Sequence, residues 1–319
     1  MSIDVHHHVY PPVFTKKLNE AGGDPSGWFV PDWTLEADQD LCKAIGVKTA
    51  ILSVTAPGTE CTGDPTTAAT LARECNEYVA AIRDRHADAY GFFAVLPSLI
   101  DTDACLKEIA YGLDHLHADG VIVYTRYGDA NGYLGHAQFR PIWEELNRRK
   151  AVVFVHPTHS VDTALINSKL PQPMFDYPHE TGRTAIDLIT SGALREYCQD
   201  CKIILSHAGG TLPALIGRVA GLLPFTVHSV ARTAEQLRED AKMFYFDTAL
   251  SSDPATLAGL VKVADPSHIL FGSDFPNAPN DSITYFTKRL HSVAADTGVD
   301  IESVCSRNAL KLFPRLNKD

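Results

Sequence analysis

The sequence predicts an α/β protein built as a (β/α)8 barrel, and three observations carry that prediction. Short runs of apolar, β-branched residues recur along the chain. Stretches with helical spacing follow them. No Gly-x-Gly-x-x-Gly follows the first run, which disfavours an open, doubly wound sheet that binds a dinucleotide. Near-continuous apolar runs belong to strands buried on both faces of a parallel sheet, and eight such units suggest a closed barrel. The chain has 319 residues, a length that barrels reach as one unit. It shows no repeat, low-complexity tract or linker, so residues 1–319 are expected to form a single domain.

In chain order, the expected strands are Ile3–His6, Thr49–Val54, Gly91–Leu96, Gly120–Tyr124, Ala151–His156, Lys202–Ser206, Met243–Asp247 and His268–Ser273. Helical spacing covers Thr67–His86, Thr102–His117, Phe139–Arg149, Thr181–Tyr197, Leu212–Leu223 and Pro254–Val263, with Ser282–Ala294 after the last strand. Two strand-to-helix connections are long: Thr55–Thr66 after the second strand, rich in Pro, Gly and Thr, and Pro157–Glu180 after the fifth. Loops of that length in a barrel line or cover its site.

Charge and composition narrow the function. Acidic residues outnumber basic ones, 39 to 28, for a formal net charge of -11. There is no basic run, so nucleic-acid binding, which demands clustered Lys and Arg against phosphates, is not expected. An acidic protein that binds an anion must concentrate positive charge locally, as a metal ion or a few arginines would. The 7 cysteines form no framework, which points to reduced thiols and a cytoplasmic location. Cys198 and Cys201 have Cys-x-x-Cys spacing without a second pair or a thioredoxin-like context. The start, MSIDVHHHVYPP, lacks the charged and apolar regions of a signal peptide. No apolar run is read as approaching the ~20 residues that span a bilayer, so no membrane partner is expected.

Barrel enzymes place their chemistry at the C-terminal ends of the strands. Strand one ends in Asp4-Val5-His6-His7-His8. Side chains at i and i+2 share a face, so His6 and His8 can converge on one ion while His7 points away. Strand five ends in His156, strand six is followed by His207-Ala208-Gly209-Gly210, and strand eight by Asp274-Phe275-Pro276. Each alone is equally a structural polar group; together they present His or Asp at four rim positions. Imidazoles with one carboxylate suit zinc or a similar divalent ion. The expected ligands are His6, His8, His156 and Asp274, with His207 free as a base or holder of water. Arg126, at the end of strand four, is a candidate for a substrate carboxylate or hydroxyl, or else for a salt bridge to Asp129 or another loop carboxylate.

The motifs Asp-x-His-x-His, FVHP, SHAGG and FGSDFP resemble the amidohydrolase-2 branch of the amidohydrolase superfamily, over nearly the whole chain. Within it the likeness is to metal-dependent nonoxidative decarboxylases, including those of aminocarboxymuconate semialdehyde and of salicylate-type acids. The GDPSGW stretch at residues 23–28, Trp33 and TAPG at residues 55–58 look most like the 6-methylsalicylate group. Glu180-Thr181 and Arg183 resemble the family's start of the helix after strand five. HAGGTLPALIGR, residues 207–218, is similar to a family segment whose final arginine reaches the neighbouring subunit in some relatives. The resemblance thus implies a metal-dependent-hydrolase-like barrel, a homodimer, and Arg218 as a carboxylate binder in trans. The bridging lysine of binuclear members has no counterpart, because Lys150 lies at the wrong end of its strand; one metal is expected, zinc before manganese.

The expected reaction is decarboxylation of a small aromatic acid with an ortho hydroxyl, a hydroxybenzoate such as 6-methylsalicylate. Asp274 would deliver the proton to the ring carbon, with His207 as relay and Phe275, Trp28 and Trp33 as apolar walls. The alternative is hydrolysis of a lactone or amide with Asp274 as general base. A noncatalytic metal-binding barrel is opposed by the pairing of His207 with Asp274 at the rim.

Overall fold

The computed structural model describes residues 2–228 and 230–317. Eight strands form one parallel sheet in sequence order. They are β1 (Ser2–Val9), β2 (Val47–Val54), β3 (Tyr90–Val95), β4 (Gly120–Tyr124), β5 (Val152–His156), β6 (Lys202–Leu205), β7 (Tyr245–Asp247) and β8 (Ile269–Leu270). The seam between the last and first strands is closed by backbone hydrogen bonds. Val5 N–H donates to Phe271 O at 3.0 Å, Asp274 N–H to His6 O at 2.8 Å, and His8 N–H to Phe275 O at 2.6 Å. The result is the (β/α)8 barrel, with helices outside and a continuous apolar core. Inside it, Phe93 stacks on Phe154 with centroids 5.4 Å apart, and Phe154 meets the ring of His6 at 4.9 Å. The floor of the site is thus aromatic.

Strand β8 is shorter than the expected His268–Ser273. Past Leu270 the chain follows β1 irregularly, and Asp274 takes a positive φ of 66°. The helix expected from Thr181 begins at Gln172 and runs to Thr190, so the long connection after β5 ends at Pro171. Proline marks a loop by default, yet here it lies within the helix. Pro173 sits in the first turn, where its missing N–H has no partner to lose. Pro178 lies inside the helix, and its carbonyl accepts Thr211 N–H at 3.0 Å.

The helix Leu35–Ile45 was not expected. The Thr34 side chain caps it by accepting Ala37 N–H, and Gly46 (φ 74°) ends it in the left-handed conformation. It matters because it carries Asp38. The helices Pro12–Glu20 and Ala234–Ala241 and a two-residue hairpin pairing Arg126–Tyr127 with Gly132–Tyr133 were also unforeseen.

One apolar run is longer than the sequence reading allowed: His207–Phe225, 19 residues of mean hydropathy 1.2. In the fold it is a rim turn followed by the helix Leu212–Leu222 and a further turn. Leu212, Ile216 and Ala220 pack inward, whereas Leu215 and Leu222 are exposed. Length and composition alone would pass it as a span; its inward face makes it a barrel helix.

Candidate active site

The pleat of β1 sorts three consecutive buried histidines onto two sides. His7 turns outward, where each ring nitrogen has a carboxylate: Nδ1 meets Asp4 Oδ2 and Nε2 meets Asp38 Oδ2, both at 2.9 Å. Burial works against the charge on His7, but Asp38 and Asp4 overcome it and push its pKa up to about 10. Tyr90 and Trp33 donate to the same Asp38. Asp4 Oδ1 accepts the backbone N–H of both His6 and Ser273, so this carboxylate ties β1 to the chain after β8.

His6 and His8 turn inward, with Nε2 atoms 3.1 Å apart. Asp274 Oδ1 lies 3.4 Å from each of them. Their outer nitrogens are occupied: His6 Nδ1 meets Asp247 Oδ2 at 2.9 Å, and His8 Nδ1 meets Ser53 Oγ at 3.0 Å. His156, at the end of β5, comes within 4.6 Å of His8 ring to ring, and its buried Nδ1 has no hydrogen-bond partner among the described residues.

This donor set fits a divalent metal. One ligand atom from each of His6, His8, His156 and Asp274 lies within 4.8 Å of the others. Nitrogens around one zinc-sized ion stand about 3 Å apart, which matches the His6–His8 spacing. An orphaned buried imidazole nitrogen is costly unless something binds it. His7, Asp38 and Cys42 also cluster, but there both ring nitrogens of His7 already have carboxylates.

Electrostatics agree with the geometry. Burial and then the neighbouring His8 and His6 hold His156 well below the usual histidine range, and burial lowers His8 to about 4. For His6, burial is outweighed by Asp247 and Asp274, which raise it to about 10. Burial also opposes the Asp274 carboxylate, but the charge of His6 and hydrogen bonds with His6 and His8 keep it well below the usual carboxylate range. His207 Nδ1 faces Ala249 O at 3.0 Å, while its Nε2 faces Asp274 Oδ2 at 3.8 Å.

A cavity of about 550 Å³ opens over these residues, walled by Trp28, Met174, Tyr177, Leu250 and Phe286, with His156, His207 and Asp274 at its base. Trp28 is fixed there by donating to Asn277 O at 2.8 Å. Other expected contacts fall elsewhere. Trp33 serves the His7–Asp38 network behind the site. Phe275 is buried against His7, centroids 5.0 Å apart, because it pairs in register with His7 rather than with the inward histidines. Neither lines the cavity. Arg126 donates to His159 O and Gly128 O and lines an adjoining cavity of about 430 Å³; no salt bridge to Asp129 forms. Arg218 is exposed on the helix Leu212–Leu222. Glu180 and Arg183 meet Tyr133, away from the site.

Two site residues escaped the sequence reading. Asp247 ends β7, and the strand-end rule that singled out His156 would have found it. Asn277 donates to Asp274 Oδ1 at 3.3 Å and to Thr55 Oγ1 at 2.9 Å, and accepts from Tyr10 OH at 2.6 Å. Nothing local marks an Asn in a loop as such a hub.

The amidohydrolase family profile matches residues 3–315. A 6-methylsalicylic acid decarboxylase of Penicillium expansum is 59% identical, over 98% of this chain and 96% of that protein. A 6-methylsalicylic acid decarboxylase of Aspergillus aculeatus is 57% identical, over 100% and 97%. Among solved structures, a dihydroxybenzoic acid decarboxylase of Polaromonas, with bound manganese and the inhibitor 2-nitroresorcinol, superposes with a TM-score of 0.82. It is 23% identical, with 100% of this chain and 98% of that one covered.

Proposed function

The chain belongs to the amidohydrolase family, and on that premise we propose that it is a metal-dependent nonoxidative decarboxylase of a small hydroxybenzoate, 6-methylsalicylate foremost. The observation that carries the reading is the division of the Asp274 carboxylate at the base of an apolar cavity. One oxygen faces the histidines of β1, and the other faces His207. The named activities of the two fungal relatives support the choice of substrate.

His6, His8, His156 and Asp274 would hold the ion, zinc in our reading with manganese next. When bound, it supplies Lewis-acid stabilisation of negative charge on the substrate's oxygens. The chain's own residues do the rest. As a metal ligand Asp274 would be ionised, so Oδ2 accepts the proton of the ortho hydroxyl. Oδ2 then delivers that proton to the ring carbon bearing the carboxylate. The bond to the carboxylate breaks, its electron pair returns to the ring, and CO2 leaves. The phenolate product takes up one proton from water, and His207 Nε2 is placed to relay it. Trp28, Tyr177, Leu250 and Phe286 exclude water, which favours loss of a charged group.

The reading extends to a homodimer. No Arg or Lys among the described residues lines the cavity, whereas Arg218 is exposed between Leu215 and Leu222 and makes no hydrogen bond or ion pair with another described residue. A second copy would bury that face and lend Arg218 to the substrate carboxylate. The seven cysteines are unpaired, in keeping with a reducing, cytoplasmic setting.

The test is a decarboxylation assay of metal-assayed protein with 6-methylsalicylate, 2,6-dihydroxybenzoate and 5-carboxyvanillate, following CO2 and the phenol. Loss of 6-methylsalicylate with release of CO2 is expected. Hydrolysis of a lactone with no decarboxylation of any acid would overturn the reading.

A further inference from the structure

We propose that Asp247 is the positioning residue of this site, setting the ring of His6 and the turn of His207 together so that both Nε2 atoms face one small volume. The inference rests on the metal-site reading above and concerns what holds that site in shape. Asp247 is fully buried at the end of β7 and uses both oxygens. Oδ2 meets His6 Nδ1 at 2.9 Å. Oδ1 accepts His207 N–H at 3.1 Å and Ala249 N–H at 2.9 Å. The Ala249 carbonyl in turn meets His207 Nδ1 at 3.0 Å.

The chemistry of these partners dictates the tautomers. A carboxylate oxygen and a carbonyl oxygen only accept, so the proton lies on Nδ1 of both rings. With a metal bound the His6 ring is neutral and its Nε2 lone pair faces the metal site, while His207 Nε2 stands 3.8 Å from Asp274 Oδ2. The backbone needs the same residue. His207 and Ala208 have φ of 55° and 57°, a left-handed turn that side-chain-bearing residues rarely adopt unless their surroundings hold them there. The bond from His207 N–H to Asp247 Oδ1 is such a hold.

Asp247 also lies close enough to His6 and His207 to be a ligand itself. Its oxygen, however, is on the Nδ1 side of His6, while His8 and Asp274 gather on the Nε2 side. One ion cannot lie on both sides of the ring, so Asp247 acts through His6 rather than beside it.

Two measurements test this. The first is the ring-nitrogen NMR spectrum of zinc-loaded wild-type protein labelled with 15N-histidine. His6 and His207 should both carry hydrogen on Nδ1; a proton on Nε2 of His6 would overturn the proposal without any variant having to fold. The second is zinc affinity, by competition with a chromogenic chelator, in Asp247→Asn. An amide offers one accepting oxygen where the carboxylate offers two, so only one of the two clients stays satisfied. The zinc dissociation constant should rise about 10- to 100-fold. Unchanged affinity beside a tight-binding wild type would sink this proposal alone. A wild type that binds no zinc or manganese would remove it together with the metal-site reading.

Discussion

Nε2 of His207 stands 3.8 Å from Oδ2 of Asp274, while Oδ1 of the same carboxylate is turned to His6 and His8. One side chain therefore faces the ligand cluster and the acid–base partner with different atoms. The two roles are separable by mutation.

Asp274→Asn should abolish turnover and weaken metal binding together, since both oxygens are engaged. His207→Asn should leave the metal content at wild-type level and lower kcat by about 100- to 10,000-fold, the usual worth of a proton-transfer group. Metal analysis beside kcat for the two variants checks this. Equal metal loss in both would contradict the division of labour.

Arg218→Ala should raise KM for the acid if the residue acts in trans, and light scattering should show a dimer. The sharper test mixes Arg218→Ala with Asp274→Asn chains and lets subunits exchange. Each mixed dimer then regains one complete site, and activity should recover to about a quarter of wild type. No recovery would place Arg218 outside the neighbour's site.

Gly210 lines the cavity with φ of 56°, and a Cβ there would meet the backbone carbonyl of Pro178. Gly210→Ala should cost about 1–3 kcal/mol from strain and overpacking. It should also displace the His207 turn and lower activity. Urea unfolding and kcat measured on the same preparation would show whether the two losses occur together.

His159 has its pKa lowered from 6.5 to about 4, by burial and then by the charge of Arg126. The folded state therefore disfavours its proton, and the unfolded chain takes it up first as pH falls through 6.5. This contribution to stability is present above 6.5 and lost progressively towards 4. His159→Asn should show a smaller drop in urea midpoint than wild type between pH 6.5 and 4. Parallel curves for the two proteins would refute the assignment.

The barrel was legible in the sequence because its strands are buried on both faces. Continuous runs such as Gly120–Tyr124 and Val152–His156 can hardly be anything else in a chain of alternating helices. The four rim residues were legible for a related reason. Their positions follow from where strands end and from the period of two along β1, and the structure brings His6, His8, His156 and Asp274 together. Prolines hid the start of the helix at Gln172, since Pro marks a loop by default yet is harmless in a first helical turn.

What the chain order alone determined is the parallel barrel and the set of residues at its rim, because both depend on local period and on a fixed chain direction. Only the tertiary structure decided which neighbours each of them meets. Asp38 comes to His7 from a helix, Asp247 to His6 from β7 across the intervening β8, and Asn277 to Thr55 and Tyr10 across a loop. Tertiary packing likewise sent Phe275 and Trp33 behind the site and Arg126 to an adjoining cavity. Hydrogen bonds and ring contacts of this kind join residues far apart in sequence, and no local period encodes which partner closes on which.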